Sequence, residues 1–193
     1  MKRVYIIHGW SGSPKNMWLS WIAKELSQKG IQVEVPQMPN ADEPAIKPWV
    51  EHLSKVVGDA DGDTYFVGHS IGCQTILRYL ETLPGIAKVG GVICVAGFFH
   101  LPNLQTEEEK IIANEWLNSP INLEKIKARI KNQIIAIFSD DDPDVPLSDS
   151  KEFKDKLGAK IIVEHEKGHF SDDAGVKELP VVLEELLKMA NEN

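Results

Sequence analysis

Short apolar runs alternate with longer segments of mixed apolar and polar residues along the whole chain. Three of the longer segments end at a glycine or a Pro-Gly pair, where a helix C-terminus is expected. The alternation predicts a three-layer α/β/α sandwich around a mainly parallel sheet of about six strands. The predicted strands are Val4–Ile7, Gln32–Val35, Thr64–Val67, Gly91–Val95, Ile134–Phe138 and Lys160–Glu164. The predicted helices are Trp18–Lys29, Ala45–Val57, Ile71–Leu83, Lys151–Leu157 and Val176–Ala190.

The chain has the size and composition of one globular domain. It has 193 residues, of which 42% are hydrophobic and 26% charged. We find no internal repeat and no linker rich in glycine, serine or proline, so residues 1–193 are predicted to form a single α/β domain. Leu101–Arg129 is predicted to be an insertion with one or two helices, which would serve as a short helical cover.

The charge balance is acidic, with 29 Asp and Glu against 21 Lys and Arg and a formal net charge of −8. Nucleic acids and anionic membranes are bound by neutralising phosphates, so neither is expected as a partner. The longest nearly apolar run, Val89–Phe99, has about half the length of a membrane-spanning helix. The N-terminal apolar run Val4–Ile7 is short for a signal peptide. We therefore expect a cytoplasmic protein.

The strand ending at Val67 is followed by Gly68-His69-Ser70-Ile71-Gly72, a G-x-S-x-G motif between a strand and a helix. A tight turn of this kind presents the central serine above the sheet, and the following helix N-terminus favours an anionic intermediate. Ser70 is therefore the candidate nucleophile. The alternative is that Gly68 and Gly72 serve a tight turn and Ser70 only caps the helix.

In the fold that carries a G-x-S-x-G turn between a strand and a helix, the partners of the serine follow in chain order Ser, then Asp or Glu, then His, each on a loop after a later strand. An acidic loop, Ser139–Pro146, comes after the fifth predicted strand. Gly168-His169-Phe170 comes after the sixth. His169 is therefore predicted to exchange the proton of Ser70, and an aspartate of the acidic loop to orient it.

With these motifs the sequence resembles an α/β-hydrolase over its whole length. The small size, the stretch Asp141–Pro146 and the late Gly-His-Phe are similar to the compact serine hydrolases of the retinoblastoma-binding-protein-nine and YdeN-like group. The resemblance implies that the acid is Asp142, the aspartate directly before a proline, beside Ser70 and His169. It carries over no protein partner, because the chain contains no L-x-C-x-E segment.

An oxyanion hole requires two N–H groups. The fold supplies one from the backbone of Ile71, after the nucleophile, and one from the loop after the first strand. That loop reads His8-Gly9-Trp10-Ser11-Gly12. The resemblance assigns the second donor to the Trp10 backbone, with Gly9 allowing close approach and His8 in a structural role. The alternative is a glycine-rich turn in which Trp10 only packs locally.

Aromatic and aliphatic side chains near these loops form the candidate substrate pocket. They are Trp10, Phe98, Phe99 and Leu101, with Leu104–Asn118 as a cover. No independent cap domain is available in so short a chain, so a small acyl pocket is expected. These aromatic residues would otherwise serve only to pack the insertion onto the core.

Two further motifs have weaker support. His165-Glu166-Lys167-Gly168-His169 matches the zinc motif H-E-x-x-H, but Gly168 disfavours the helix that this motif requires. Asp140, Asp142 and Asp144 match the start of a calcium loop, whose sixth and twelfth positions are here Val145 and Lys151. No dinucleotide or phosphate-binding loop is present. We therefore expect neither a metal nor a cofactor.

These observations favour a serine hydrolase that cleaves small carboxylic esters, thioesters or amides through an acyl-enzyme. The small-molecule acyl substrate is the only partner that the residues indicate. A non-catalytic interaction protein that retains the fold is the main alternative, because a fold alone does not establish chemistry. Peptidase or acyltransferase use of the same three residues is a third.

Overall fold

A computed structural model describes residues 1–191. Six strands form one sheet in the order β2-β1-β3-β4-β5-β6, and every neighbouring pair is parallel. The strands are β1 (Arg3–Ile7), β2 (Gln32–Glu34), β3 (Thr64–His69), β4 (Val89–Val95), β5 (Ile130–Ser139) and β6 (Lys160–Glu164). The predicted number of strands and their parallel arrangement are confirmed. The last two residues of the predicted 1–193 domain lie outside the described residues.

Helices cover both faces of the sheet. They are α1 (Met17–Gln28), α2 (Ile46–Val57), α3 (Ile71–Thr82), α4 (Glu107–Asn118), α5 (Leu123–Lys127), α6 (Asp149–Leu157) and α7 (Pro180–Asn191). Helices α1 and α7 pack on each other, while α2, α3, α5 and α6 form a second connected layer. The α/β/α sandwich is therefore confirmed. No helix within residues 1–191 combines the length and apolar character needed to cross a bilayer.

The two boundaries that differ most from the sequence-based expectation are the starts of α7 and β5. Helix α7 begins at Pro180 instead of Val176. Proline is favoured in the first turn of a helix, where no N–H partner is lost. Val176 and Leu179 are buried in the preceding loop. Strand β5 begins four residues earlier than predicted, at Ile130, and pairs with β4 across an irregularity between Val89 and Gly91.

The insertion between β4 and β5 contains the two helices α4 and α5. Thr106 caps α4 by accepting a hydrogen bond from the Glu109 N–H, and the Glu109 carboxylate accepts one from the Thr106 N–H. This capping box explains why the three consecutive glutamates open the helix. At the other end, the buried Arg78 of α3 donates to the carbonyls of Trp116 and Ser119. The C-terminal end of α4 is thus fixed to the core.

The order in which strands are added to the sheet reverses at β1, since β2 lies on one side of β1 and β3 on the other. A crevice opens beyond the strand C-termini at such a reversal, where α/β proteins bind ligands. The loop with Trp10 follows β1, and Ser70 follows β3. The fold therefore brings the two segments of interest to one edge of the sheet.

Candidate active site

Ser70 occupies the sharp turn between β3 and α3. Its backbone has φ 52° and ψ −120°, in a region that residues with a side chain rarely adopt. The Ser70 N–H donates to the Val95 carbonyl at 2.9 Å, and its carbonyl accepts from the Cys73 N–H at 2.9 Å. Neighbouring segments thus hold the strained turn in place, and strain of this kind marks Ser70 as a candidate functional residue.

The glycines on either side allow the helix to approach the sheet closely. A Cβ on Gly68 would lie 2.7 Å from the backbone N of Cys73. A Cβ on Gly72 would lie 2.7 Å from the carbonyl oxygen of His8, and closer still to that of Ile7. Since both obstacles are backbone atoms, neither turn position accommodates a side chain without moving a strand or the helix.

His169 lies in the loop between β6 and α7, beside Asp142 from the loop after β5. The His169 Nδ1 is 2.9 Å from Asp142 Oδ2 and 3.1 Å from Oδ1. The Asp142 side chain is only 3% exposed. Its Oδ1 also accepts hydrogen bonds from the N–H groups of Asp144 and Val145. The carboxylate is thus fixed by its own loop while it faces the imidazole.

The other aspartates of this loop bind different parts of the His169 loop. Asp140 accepts from the Glu166 N–H and lies 2.5 Å from His165 Nδ1, and this contact lowers the pKa of Asp140 and raises that of His165. Asp141 accepts from the Ser139 hydroxyl and the Gly168 N–H, which lowers its pKa. Three consecutive carboxylates therefore join the two loops, and Asp142 is the one that faces His169.

His69, the residue before Ser70, is a site residue that the sequence analysis did not identify. Its Nε2 lies 2.7 Å from the carbonyl oxygen of His169, so this nitrogen carries the hydrogen and donates. Burial and the nearby His169 lower the pKa of His69 to about 3. The adjacent Phe170 carbonyl accepts from the Trp18 indole N–H at 2.8 Å. The single sequence signal for the contact between His69 and His169 is the aromatic residue type at the second position of the G-x-S-x-G motif.

The loop after β1 lies against the nucleophile. A Cβ built on Gly9 would lie 3.4 Å from the Ser70 Cβ and 3.0 Å from His69 Nδ1. The Trp10 indole N–H donates to the Asp42 carbonyl, and the Ser11 N–H to the Ala41 carbonyl. Gly9 thus lets the backbone at Trp10 pass close to Ser70, and the loop after β2 fixes its course.

His8 braces the same loop from inside. It is fully buried, and burial lowers its pKa. Its Nε2 accepts from the Met38 N–H at 3.0 Å, so the hydrogen resides on Nδ1, which lies 2.8 Å from the Gly9 carbonyl. The neutral imidazole thereby connects the loop after β1 to the segment after β2.

A cleft of about 720 Å³ opens above the sheet edge, and most of the predicted site residues line it. It is bordered by the predicted residues Ser70, His169, Trp10, Ile71, Phe98 and Leu101. Asp142 lies behind His169, outside the cleft lining. The segment from Leu104 to Glu109 and Ile112 of α4 form another border, in the region predicted as a cover.

Phe99, predicted to line the pocket, lies elsewhere. Its ring packs against Phe153 of α6 with centroids 4.9 Å apart, and the ammonium of Lys156 lies 5.2 Å from its centroid. The buried Asp149 carboxylate accepts hydrogen bonds from the N–H groups of Phe99 and His100. This contact fixes the backbone so that Phe98 borders the cleft and Phe99 turns toward α6.

Within residues 1–191, the histidines clustered with carboxylates in groups that resemble metal ligands are each hydrogen-bonded to one of those carboxylates. His165 and His169 lie in a loop and bind different aspartates, so they do not share a helix face as the zinc motif requires. Two groups, His100 with Asp149 and Glu152, and Asp142 with Asp144 and His169, bring three ligand-type atoms within 4.8 Å. In each group the imidazole Nδ1 is hydrogen-bonded to an aspartate.

Comparisons with known proteins agree with this architecture. A family model described as "Serine hydrolase" matches residues 4–188. The sequence is 37% identical to YdeN of Bacillus subtilis (strain 168) over 186 residues, which cover 96% of this chain and 94% of YdeN. It is 31% identical over 156 residues to "Serine hydrolase RBBP9" of Rattus norvegicus, covering 80% and 78% of the two chains.

Solved structures show the same fold. The crystal structure of the B. subtilis ydeN gene product matches with a TM-score of 0.90 and 36% identity over 98% of both chains. Est1E from Butyrivibrio proteoclasticus matches with a TM-score of 0.72 over 97% of this chain and 88% of its own, at 16% identity, a likeness of fold alone. The chain therefore belongs to the serine hydrolase family, as its G-x-S-x-G motif, its acidic loop and its late histidine predicted.

Proposed function

We propose that this protein hydrolyses small carboxylic esters, thioesters or amides through an acyl-enzyme, with Ser70, His169 and Asp142 as its catalytic triad. One observation carries the proposal. Ser70 stands in a left-handed conformation at a strand-to-helix turn and borders the same cleft as His169, whose Nδ1 lies 2.9 Å from Asp142. A strained serine that borders the same cleft as an oriented base is the arrangement that nucleophilic catalysis needs.

In this mechanism the Ser70 hydroxyl attacks the carbonyl carbon while His169 Nε2 takes its proton. The Asp142 carboxylate accepts a hydrogen bond from the Nδ1–H of His169 and stabilises the imidazolium, without taking up the proton itself. The leaving group takes that proton as the bond to the acyl carbon breaks. Water then attacks the acyl carbon while His169 takes its proton. That proton passes to the Ser70 oxygen as the acid is released.

The backbone N–H groups of Trp10 and Ile71 are proposed to bind the oxyanion. Ile71 is the first residue of α3, where N–H groups have no partner within the helix and the helix dipole favours negative charge. Gly9 keeps the Trp10 segment close to Ser70. Removing one donor of such a pair commonly lowers kcat by about 10²–10³.

The acyl group is proposed to occupy the apolar part of the cleft beside Trp10, Phe98 and Leu101. Helix α4 and the segment before it would form the cover over this pocket, within a single domain spanning residues 1–193. The volume of about 720 Å³ lies within the range of small-molecule sites.

Labelling with a fluorophosphonate probe tests the nucleophile directly, because only an activated serine reacts readily. The wild-type protein is expected to gain one adduct, located on Ser70 by mass spectrometry, and Ser70→Ala none. Ser171→Ala removes another hydroxyl that borders the cleft and serves as the matched control, which is expected to be labelled. Equal labelling of wild type and Ser70→Ala would refute the proposal.

A further inference from the structure

The charged groups around the cleft are of one sign. Six carboxylates border it, and within the described residues no lysine or arginine does. They come from four separate segments: the loop after β2, helix α4, the loop after β5 and the loop after β6. The six residues are Asp42, Glu108, Glu109, Asp144, Asp172 and Asp173.

The cleft is negative at neutral pH because carboxyl groups ordinarily ionise near pH 4. Glu109 accepts hydrogen bonds from the N–H groups of Gln105 and Thr106, which lowers its pKa and favours the ionised form. Asp172 accepts from the side-chain amide of Asn16 at 3.0 Å. Lys110 lies on the same helix as Glu109, but it is absent from the cleft border and its ammonium is 2.7 Å from Glu107.

Three of these carboxylates belong to the two loops that carry Asp142 and His169. Asp144 Oδ2 is 3.9 Å from His169 Nδ1, and Asp172 and Asp173 follow His169 in the same loop. In the proposed reaction the leaving group receives its proton from His169, so it departs along this wall. The apolar residues Phe98 and Leu101 come from the segment after β4 and border another part of the cleft.

We infer that the cleft selects esters whose alcohol part carries a positive charge, such as a quaternary ammonium alcohol. The inference rests on the proposed function and adds the substrate class. A cleft bordered by charges of one sign focuses the field, so it concentrates ligands of opposite charge and repels those of the same charge. Esters and thioesters with phosphorylated leaving groups are correspondingly disfavoured.

A pair of isosteric esters tests the inference. Butyrylcholine carries a quaternary nitrogen where 3,3-dimethylbutyl butyrate has a carbon atom, so the two differ chiefly in charge. At low ionic strength we expect kcat/KM to be about tenfold higher for butyrylcholine, within the range for electrostatic attraction. The preference should shrink as salt is raised from about 0.01 M to 0.1 M, because the screening length falls from about 30 Å to 10 Å.

Charge-removing variants locate the effect. In Asp144→Asn and Asp173→Asn the ratio of the two kcat/KM values is expected to fall about two- to fivefold. Glu178→Gln removes an equal charge from an exposed position outside the cleft and should leave the ratio unchanged. Equal kcat/KM for the two esters in the wild type, with turnover abolished by Ser70→Ala, would overturn the inference alone. Absence of Ser70-dependent turnover of either ester would overturn the proposed function as well.

Discussion

His69 holds the backbone of His169: the His69 Nε2 lies 2.7 Å from the His169 carbonyl oxygen, and the two rings are 5.0 Å apart. Because His69 directly precedes Ser70, this contact joins the turn that carries the candidate nucleophile to the loop that carries the candidate base. The bond requires a hydrogen on Nε2, and burial together with the nearby His169 lowers the pKa of His69 to about 3, so at neutral pH the ring is uncharged and Nε2 carries its single hydrogen.

The depressed pKa of His69 makes a prediction for stability against pH. An unfolded histidine titrates near pH 6.5, so between about 6.5 and 3 the unfolded chain binds a proton that the folded protein excludes. The contribution of His69 is therefore fully present above pH 6.5 and declines on acidification, by about 1.4 kcal/mol per pH unit. We expect the unfolding free energy of His69→Gln to fall less steeply than that of wild type from about pH 6.5 to 5.

Urea unfolding at several pH values measures this slope. His165→Gln is the matched control, because Asp140 raises the pKa of His165 and the sign reverses. The stability from that pair is fully present below about pH 6.5 and is lost as pH rises through the raised pKa. Removal of His165 should therefore leave the decline from about pH 6.5 to 5 nearly unchanged and alter the slope only above about pH 6.5. Equal slopes in wild type and His69→Gln would contradict the assignment of a neutral, donating His69.

Substitution of the nucleophile or of the base should nearly abolish turnover. Ser70→Ala and His169→Ala are each expected to lower kcat by roughly 10⁴ or more, leaving the residual catalysis of the oxyanion hole and of substrate binding. The double variant should be little worse than either single one, because the two residues act as a unit. The kcat for hydrolysis of p-nitrophenyl butyrate measures these losses. If the loss in the double variant equalled the product of the two single losses, the two residues would not act in the same step.

An asparagine scan of the acidic loop separates its aspartates. Asp142→Asn should be the most damaging, because Asp142 is the carboxylate that lies 2.9 Å from His169 Nδ1. Loss of the comparable carboxylate in a serine protease lowers kcat about 10⁴-fold. Asp140→Asn, Asp141→Asn and Asp144→Asn are expected to have smaller effects on kcat. A larger loss in Asp141→Asn or Asp144→Asn would show that another carboxylate orients the base.

The acyl part of the substrate is expected to be short. The apolar border of the cleft is limited to a few side chains, and helix α4 closes one side of it. We therefore expect kcat/KM for p-nitrophenyl esters to decrease from short acyl chains toward palmitate. A rise toward palmitate would show that the cover opens onto a long groove and would contradict a small acyl pocket.

The sequence predicted the strands well because their β-branched runs are bounded by glycines and polar turns. Strand β6 was predicted with both boundaries correct, and β3 was predicted two residues short, because Gly68 and His69 resemble turn residues although they pair with β4. The start of α7 was placed too early, since Val176 and Leu179 are apolar at helical spacing but pack on the core from a loop. Periodicity does not distinguish these two uses of an apolar residue.

The candidate site residues were predictable from the sequence where a motif specifies their position in the fold. They were less predictable where the direction of a side chain decides whether it borders the cleft. The motif and the chain order bring Ser70, Asp142 and His169 to one edge of the sheet, as the structure shows. The divergence of Phe98 and Phe99 depends on the buried Asp149, which is distant in sequence. The contact between His69 and His169 spans 100 residues and has no local signal beyond the residue type.

The position of β6 at the edge of the sheet has a consequence for heat inactivation. Ser70 follows a central strand with neighbours on both sides, whereas His169 follows a five-residue strand paired only with β5. Edge elements open locally at lower free energy than the interior of a sheet. Fraying of β6 would withdraw the histidine while the serine stayed in place, so activity should be lost on warming before the core melts. Amide hydrogen exchange would then show β6 exchanging faster than β3.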